Sequence, residues 1–299
     1  MIKYDSIEEL VTLAEKEGRK ISEIILADQA LQIGKSEEEL YQQMEKDFDI
    51  MTESFAWGQQ PGQRSNSGLT GGEGVAMMQY ADKGESLMGT FMGKAVATAL
   101  SISNCNAAMG RIVATPTAGS CGILPGCLIP LYQEKKIPKR DIVMSIFTAG
   151  AFGMVIAGKA SIAGAQGGCQ AECGSAAGMA AAAMVEVRGG TPTMCASALG
   201  MALVNQMGLV CDPVAGLVEI PCIKRNAAGV VLAYCAADMA LAGIPLYIPA
   251  DECIDAMKEV GNQMSSTLKE TAAGGLAATP TAQRLKEQVF GDRKAMTAG

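Results

Sequence analysis

Three cysteines stand in local sequences suited to metal chemistry: Gly167-Gly168-Cys169-Gln170-Ala171-Glu172, Val210-Cys211-Asp212-Pro213 and Pro221-Cys222-Ile223-Lys224-Arg225-Asn226. The 299-residue chain contains no histidine, so metal ligands must be thiolates or oxygens, and a general base must be something other than imidazole. Three thiolates on a four-position site or cluster leave one corner open to substrate, which points to a catalytic iron–sulfur centre. Each of the three lies beside Gly or Pro at an expected helix boundary, where exposed N–H groups and the helix dipole lower a thiol's pKa. Cysteine is also a good buried apolar residue, as most of the other seven are read, and the residues by themselves leave both readings of these three open.

The elements that must position them are helical. The chain is 49% hydrophobic but only 4% aromatic, with 35 Gly and 19 Met, a composition suited to helices packed closely through small residues. Helices are expected at 7–17 and 37–56, where Ser6 with Glu9 and Ser36 with Glu39 fit capping boxes. Further helices are expected over 86–109, 120–133, 140–158, 172–187, 194–208, 223–241, 250–259 and 283–289, while alternating β-branched strands are scarce. The fold class is therefore all-α, with charged helices over 1–60, a catalytic helical region over 61–282 and a tail over 283–299, together one domain. Residues 58–74 form a polar, glycine-rich loop whose length favours a binding role. Residues 142–158 are uncharged, but a spanning helix needs about 20 residues, and the three glycines in this run favour a buried core helix.

Several functions are excluded. Net charge is −7 with no concentrated basic surface, which argues against nucleic-acid binding. The charged start Met1–Arg19 lacks an apolar signal core, so the ten cysteines read as reduced thiols of a cytoplasmic protein. No Cys-x-x-Cys occurs, against ferredoxin, zinc-ribbon and thioredoxin signatures. Gly153-x4-Gly158-Lys159 opens like a phosphate loop but continues with Ala160, which has no hydroxyl for magnesium. Cys169-x3-Cys173 fails as a radical-cluster motif because the next position is Ala176.

The three cysteine strings, with Lys269-Glu270-Thr271-Ala272-Ala273-Gly274-Gly275-Leu276-Ala277 and Thr115-Pro116-Thr117-Ala118-Gly119-Ser120-Cys121-Gly122, closely resemble iron–sulfur-dependent L-serine dehydratases. The likeness keeps the same order over roughly 60–280, including the separations of 42 and 11 residues between the cysteines. It implies a 4Fe-4S cluster held by Cys169, Cys211 and Cys222, with one iron free of protein ligands. The chain looks like the α subunit of the two-subunit type, implying a separate β subunit. Some single-chain members cap the fourth iron with a C-terminal cysteine, and this chain ends Lys294-Ala295-Met296-Thr297-Ala298-Gly299 without one.

The implied reaction removes the α-proton and the β-hydroxyl of L-serine, the open iron acting as Lewis acid, to give pyruvate and ammonia. A lysine with a pKa depressed by burial would serve as base, with Lys94 the first candidate and Lys269 the second. Two turns, Ser65–Gly72 (Ser65, Ser67, Gly68) and Thr115–Gly119 (Thr115, Thr117, Ala118, Gly119), are expected to donate to the substrate carboxylate, with charge from Arg64 and Arg225. Arg225 could equally be a helix-start partner of Glu219, and Glu172 and Asn226 are expected to support the cluster from behind. The competing readings are another cluster hydro-lyase, acting on a hydroxy acid or threonine, and a non-catalytic electron-transfer or structural subunit with Cys173 or Cys121 as fourth ligand.

Overall fold

The computed structural model describes residues 4–296. Its α-helices are α1 (Ile7–Glu17), α2 (Ile21–Ile33), α3 (Glu37–Gly58), α4 (Glu73–Asp82), α5 (Gly89–Ala107), α6 (Ile123–Gln133), α7 (Lys139–Lys159), α8 (Gly164–Gly167), α9 (Ser175–Val187), α10 (Pro192–Gln206), α11 (Cys222–Leu241), α12 (Ala250–Gln263) and α13 (Pro280–Met296). No β-strand occurs among the described residues, only one isolated bridge, so the all-α expectation holds.

Two helices of ten or more residues, and the single turn α8, were not anticipated. α2 carries no 3.6-residue pattern, since Ser22 and Asp28 are buried along with Ile21, Ile24, Ile25, Leu26 and Ala30, while Leu31 and Ile33 are exposed. α4 starts directly from the glycine loop at Gly72, with no side-chain cap to announce it. Of the two capping boxes, only Ser36/Glu39 is reciprocal: the Glu39 N–H donates to Ser36 Oγ and the Ser36 N–H to Glu39 Oε2. At α1, Ser6 caps Glu9 N–H, but the Glu9 carboxylate turns to the Asp5 N–H. Residues 297–299, at the end of the expected tail, lie outside the described residues.

One continuous buried cluster runs from Ile7 in α1 to Met257 in α12. α9 is its axis: Ala176, Ala177, Ala180 to Ala183, Met184 and Val185 are all buried, and α6, α7, α10 and α11 pack around it. A helix this poor in bulk lets neighbours approach on every side, which is why its faces show no polar stripe. α7 is the expected core helix. It is the only described helix long and apolar enough to cross a membrane, but 67% of its apolar window is buried within the protein.

The closeness of these contacts is visible at Gly126, where α6 meets α5 and α11. A Cβ there would stand 2.8 Å from Val230 Cγ2 and 2.9 Å from Ala99 Cβ. Gly126→Ala is expected to destabilise by about 1–3 kcal/mol through overpacking, against a helix-propensity gain of about 1 kcal/mol. Urea unfolding measures this, and a stabilised variant would contradict it.

Glu186, at the end of α9, lies in the core and ties three elements together. Its Oε2 accepts the Ser22 N–H of α2 (3.2 Å) and the Thr148 hydroxyl of α7 (2.6 Å). Burial pushes its carboxyl pKa up, partly opposed by those hydrogen bonds. Proton uptake therefore favours the folded state, an effect complete below the unfolded pKa of about 4.3 and lost as pH rises through the raised folded value. Glu186→Gln keeps an acceptor without the charge. Its stability relative to the unsubstituted protein is expected to improve progressively from pH 4 to pH 8, read from unfolding at several pH values; a pH-independent difference would contradict this.

Candidate active site

Cys169 ends the loop after α8 and leads into a π-helical turn (Gln170–Gly174) that runs on into α9. Such turns are inserted where a side chain must be re-aimed. The Gln170 N–H donates to Leu209 O (2.9 Å), and its side chain joins Met257 O and the Gly208 N–H, so the segment before Cys211 is held against this turn. Cys211 itself lies in the isolated parallel bridge with Lys269. Its N–H donates to Leu268 O (2.8 Å), and its carbonyl accepts the Glu270 N–H (2.7 Å). Cys222 is the first residue of α11. One turn on, Asn226 Nδ2 donates to Cys222 O (2.9 Å) and to Gly119 O (2.7 Å), while its Oδ1 accepts the Gly122 N–H (2.9 Å). The three sulfurs thus come from three separate segments, all are buried, and each lies within electrostatic reach of the other two.

Their thiol chemistry differs from the expectation of three lowered pKa values. Only Cys169 is lowered, first by a hydrogen bond from the Cys173 thiol and then by the Arg225 guanidinium. Burial raises Cys211, and it pushes Cys222 up to about 12, outweighing the helix start at the latter. Cys211 has no helix start at all, because extended backbone carries it.

Charge around the site is organised by Asp212. Arg225 Nη2 meets Asp212 Oδ1 at 2.8 Å and Nη1 donates to Val210 O at 2.8 Å, while Oδ2 accepts the Leu276 N–H at 2.7 Å. The partner of Arg225 is therefore Asp212 and not Glu219. The sequence marked Asp212 only as part of a motif. Its role emerges because the Lys269–Ala277 segment folds back over the Cys211 segment. Ala215, Glu270 and Ala272 hold left-handed backbone (φ 60°, 62° and 55°) in these two segments. Non-glycine residues so placed cost about 1–3 kcal/mol each and concentrate at functional sites.

Glu172 faces the same space. The Thr117 hydroxyl donates to its Oε1, and burial raises its pKa. A Cβ at Gly164 would stand 2.8 Å from Cys211 Sγ and 3.5 Å from Glu172 Oε2, and one at Gly119 would collide with Glu172. Bare backbone at both positions keeps the space between Cys211 and Glu172 clear. In the Thr115–Gly119 turn, Ser120 Oγ lies 3.0 Å from Thr117 Oγ1 and Thr115 is buried. The Ala118 carbonyl accepts from Asn106, whereas the N–H groups of Ala118, Gly119 and Ser120 make no hydrogen bond among the described residues.

The second turn reaches the site through Glu219, which sequence reasoning missed as a site residue because it sits in the apolar run Leu217–Ile220. Its Oε2 accepts the hydroxyls of Ser67 (2.9 Å) and Thr70 (2.7 Å). Gly68 turns the loop, its N–H donating to Ser65 O (2.9 Å). Arg64 is exposed.

Lys94 does not have the environment a base requires. Its Nζ pairs with Glu134 (3.1 Å) and Asp82 (3.4 Å), and the hydrogen bond it donates to Glu134 leads the causes that raise its pKa, opposite to the expected depression. Apolar neighbours in sequence suggested burial, but the side chain runs out along α5 to two acids. Lys269 is different: its backbone pairs with Cys211, and it lines a cavity of 410 Å³ with Lys258, Asn262, Gly167 and Ala171.

Among the described residues, no three Cys, Asp or Glu side chains converge closely enough to hold a single metal ion. A lone zinc requires such convergence, whereas each ligand of a cubane cluster binds a different iron. An all-thiol donor set spread over three buried segments fits the second case.

Comparison with known proteins gives first a class, that of a lyase. Residues 16–277 match the family described as serine dehydratase alpha chain, and the chain belongs to that family. It is 48% identical over 288 residues to the probable L-serine dehydratase, alpha chain, of Bacillus subtilis (strain 168), covering 96% of each. It is 40% identical over 278 residues to the L-serine dehydratase, alpha chain, of Peptoniphilus asaccharolyticus, covering 93% of this chain and 95% of the relative. With L-serine dehydratase TdcG of Escherichia coli (strain K12) it shares 44% identity over 183 residues, 60% of this chain and 40% of that protein.

Asn226→Ala would leave the Gly119 and Cys222 carbonyls and the Gly122 N–H without their side-chain partner. At about 1–3 kcal/mol per buried unsatisfied group, a loss of at least about 2 kcal/mol is expected in urea unfolding. A change below about 0.5 kcal/mol, the usual span of surface substitutions, would show that this amide does not hold the turn to the helix.

Proposed function

We propose that this chain is the α subunit of an L-serine dehydratase, converting L-serine to pyruvate and ammonia with a separate β subunit in the cytoplasm. Cys169, Cys211 and Cys222 would hold a 4Fe-4S cluster. The observation that carries this reading is the gathering of three buried thiols from separate segments beside two hydroxyl-bearing turns. The relatives named as L-serine dehydratase alpha chains support it along nearly the whole chain. When bound, the cluster supplies Lewis acidity at an iron without a protein ligand, favouring departure of hydroxide.

The chain's own residues do the rest. The N–H groups of Ala118, Gly119 and Ser120 form a backbone nest, a fixed partial positive charge that receives the substrate carboxylate. Asn226 and Glu172 hold that turn against Cys222 and the π-helical turn after Cys169, so substrate and cluster share one frame. Of the two lysines considered as base, Lys269 remains, because its backbone is paired with Cys211. Loss of the α-proton and of the β-hydroxyl leaves aminoacrylate and water; tautomerisation to the imine and hydrolysis release pyruvate and ammonia.

The test is anaerobic. The α subunit is loaded with iron and sulfide, joined with its β partner and supplied with L-serine, while visible absorbance and pyruvate are followed. Pyruvate formation that is lost in Cys169→Ala and persists with a pyridoxal-phosphate scavenger is the expected result. A stable cluster that cycles its redox state and yields no keto acid would favour the electron-transfer reading instead.

A further inference from the structure

Glu219 is a buried carboxylate, 5% exposed, with no cationic partner among the described residues. A buried charge of this kind normally has a counter-charge. Here the available cation, Arg225, is committed to Asp212. The proton inventory of the adjoining loop shows what it can accept. Ser67 and Thr70 both give their hydroxyl protons to Glu219 Oε2. Ser67 Oγ also accepts the Leu69 N–H (3.1 Å), and Ser65 Oγ lies 3.1 Å away. With the Ser67 proton spent on Glu219, Ser65 must be the donor in that contact, which fills Ser67. Ser65 Oγ accepts the Thr70 N–H (3.2 Å) as well.

A hydroxyl has one proton and two lone pairs. All three hydroxyl protons are therefore committed inward, and these side chains retain only acceptors: one lone pair on Ser65, two on Thr70 and the charge of Glu219. Such a surface repels a carboxylate and fits a cation that can donate hydrogen bonds. The hydroxyl protons expected to donate to the substrate carboxylate are thus already spent on Glu219 and Ser67.

We propose that Ser65, Thr70 and Glu219 form the subsite for the α-ammonium group of the substrate, with Glu219 as its counter-charge. The inference rests on the L-serine reading above and deepens it. The substrate's two charged groups are divided between two turns: carboxylate on the Ala118–Ser120 amides, ammonium on the hydroxyl loop. Such a division selects amino acids and disfavours the hydroxy acids of the same shape.

The experiment uses the reconstituted α/β enzyme and Glu219→Gln, which keeps an acceptor for Ser67 and Thr70 and removes the charge. KM and kcat for L-serine are measured, with binding of L-alanine and L-lactate by calorimetry; neither of the two has a β-hydroxyl to lose. The expected result is a KM raised about tenfold or more at nearly unchanged kcat, the pattern of lost uniform binding. L-alanine should weaken by a similar factor and L-lactate should not, with cluster absorbance intact. An unchanged KM, or equal weakening of L-alanine and L-lactate, would overturn the proposal. Thr70→Val, close in shape, guards against a folding artefact: it should shift L-alanine binding in the same direction, and no shift would count against the subsite. Pyruvate from the unsubstituted enzyme tests the L-serine reading separately, and if none forms, that reading fails before the subsite is in question.

Discussion

One amide holds the site together. Asn226 projects from the first turn of α11 and spends both donors and its acceptor on the Gly119–Gly122 turn and on Cys222. A side-chain amide is suited to this because it presents donors and an acceptor from one rigid plane, and burial makes each of its bonds costly to lose. Through it the turn that carries free N–H groups and the helix that opens with Cys222 become one body. The ties of Gln170 and Asp212 repeat the device for the segments of Cys169 and Cys211.

Those ties work because the scaffold behind them is dense. α9 offers almost nothing but Ala, Gly and Met to its neighbours, so helix axes come close and the loops at their ends meet. The same density brings carboxylates inside, and each is answered differently. Asp212 has an arginine, Glu186 has an amide and a hydroxyl, and Glu172 has a hydroxyl and a raised pKa. Glu219 has two hydroxyls and an unanswered charge. Uncompensated charge in a packed protein costs stability, which makes it a marker of where a ligand completes the structure.

Helices that alternate apolar and charged faces, such as α1 and α12, were readable from spacing, as was α7 from its uncharged run. α2 was not, because a helix buried on most sides loses the periodicity by which helices are recognised. The string Ala-Thr-Pro-Thr-Ala, which occurs twice, takes two different structures. Ala114–Ala118 is a turn with a cis peptide at Thr115–Pro116, while Ala278–Ala282 leads into α13. Lys94 shows the same limit for side chains: apolar neighbours in sequence do not place an ammonium group that can reach two acids from other segments.

What the sequence determined by itself is chemistry and class. Residue types decide that any metal ligands are thiolates or oxygens and that imidazole takes no part, and small-residue composition decides that the chain folds as packed helices. The tertiary structure alone decided partners and polarity. Whether Arg225 answers Asp212 or Glu219, and whether the Ser65–Thr70 hydroxyls offer protons or lone pairs, depends on which distant groups meet. Hydrogen bonds and ion pairs act over a few ångströms, and positions separated by scores of residues come within that range only once the chain has folded.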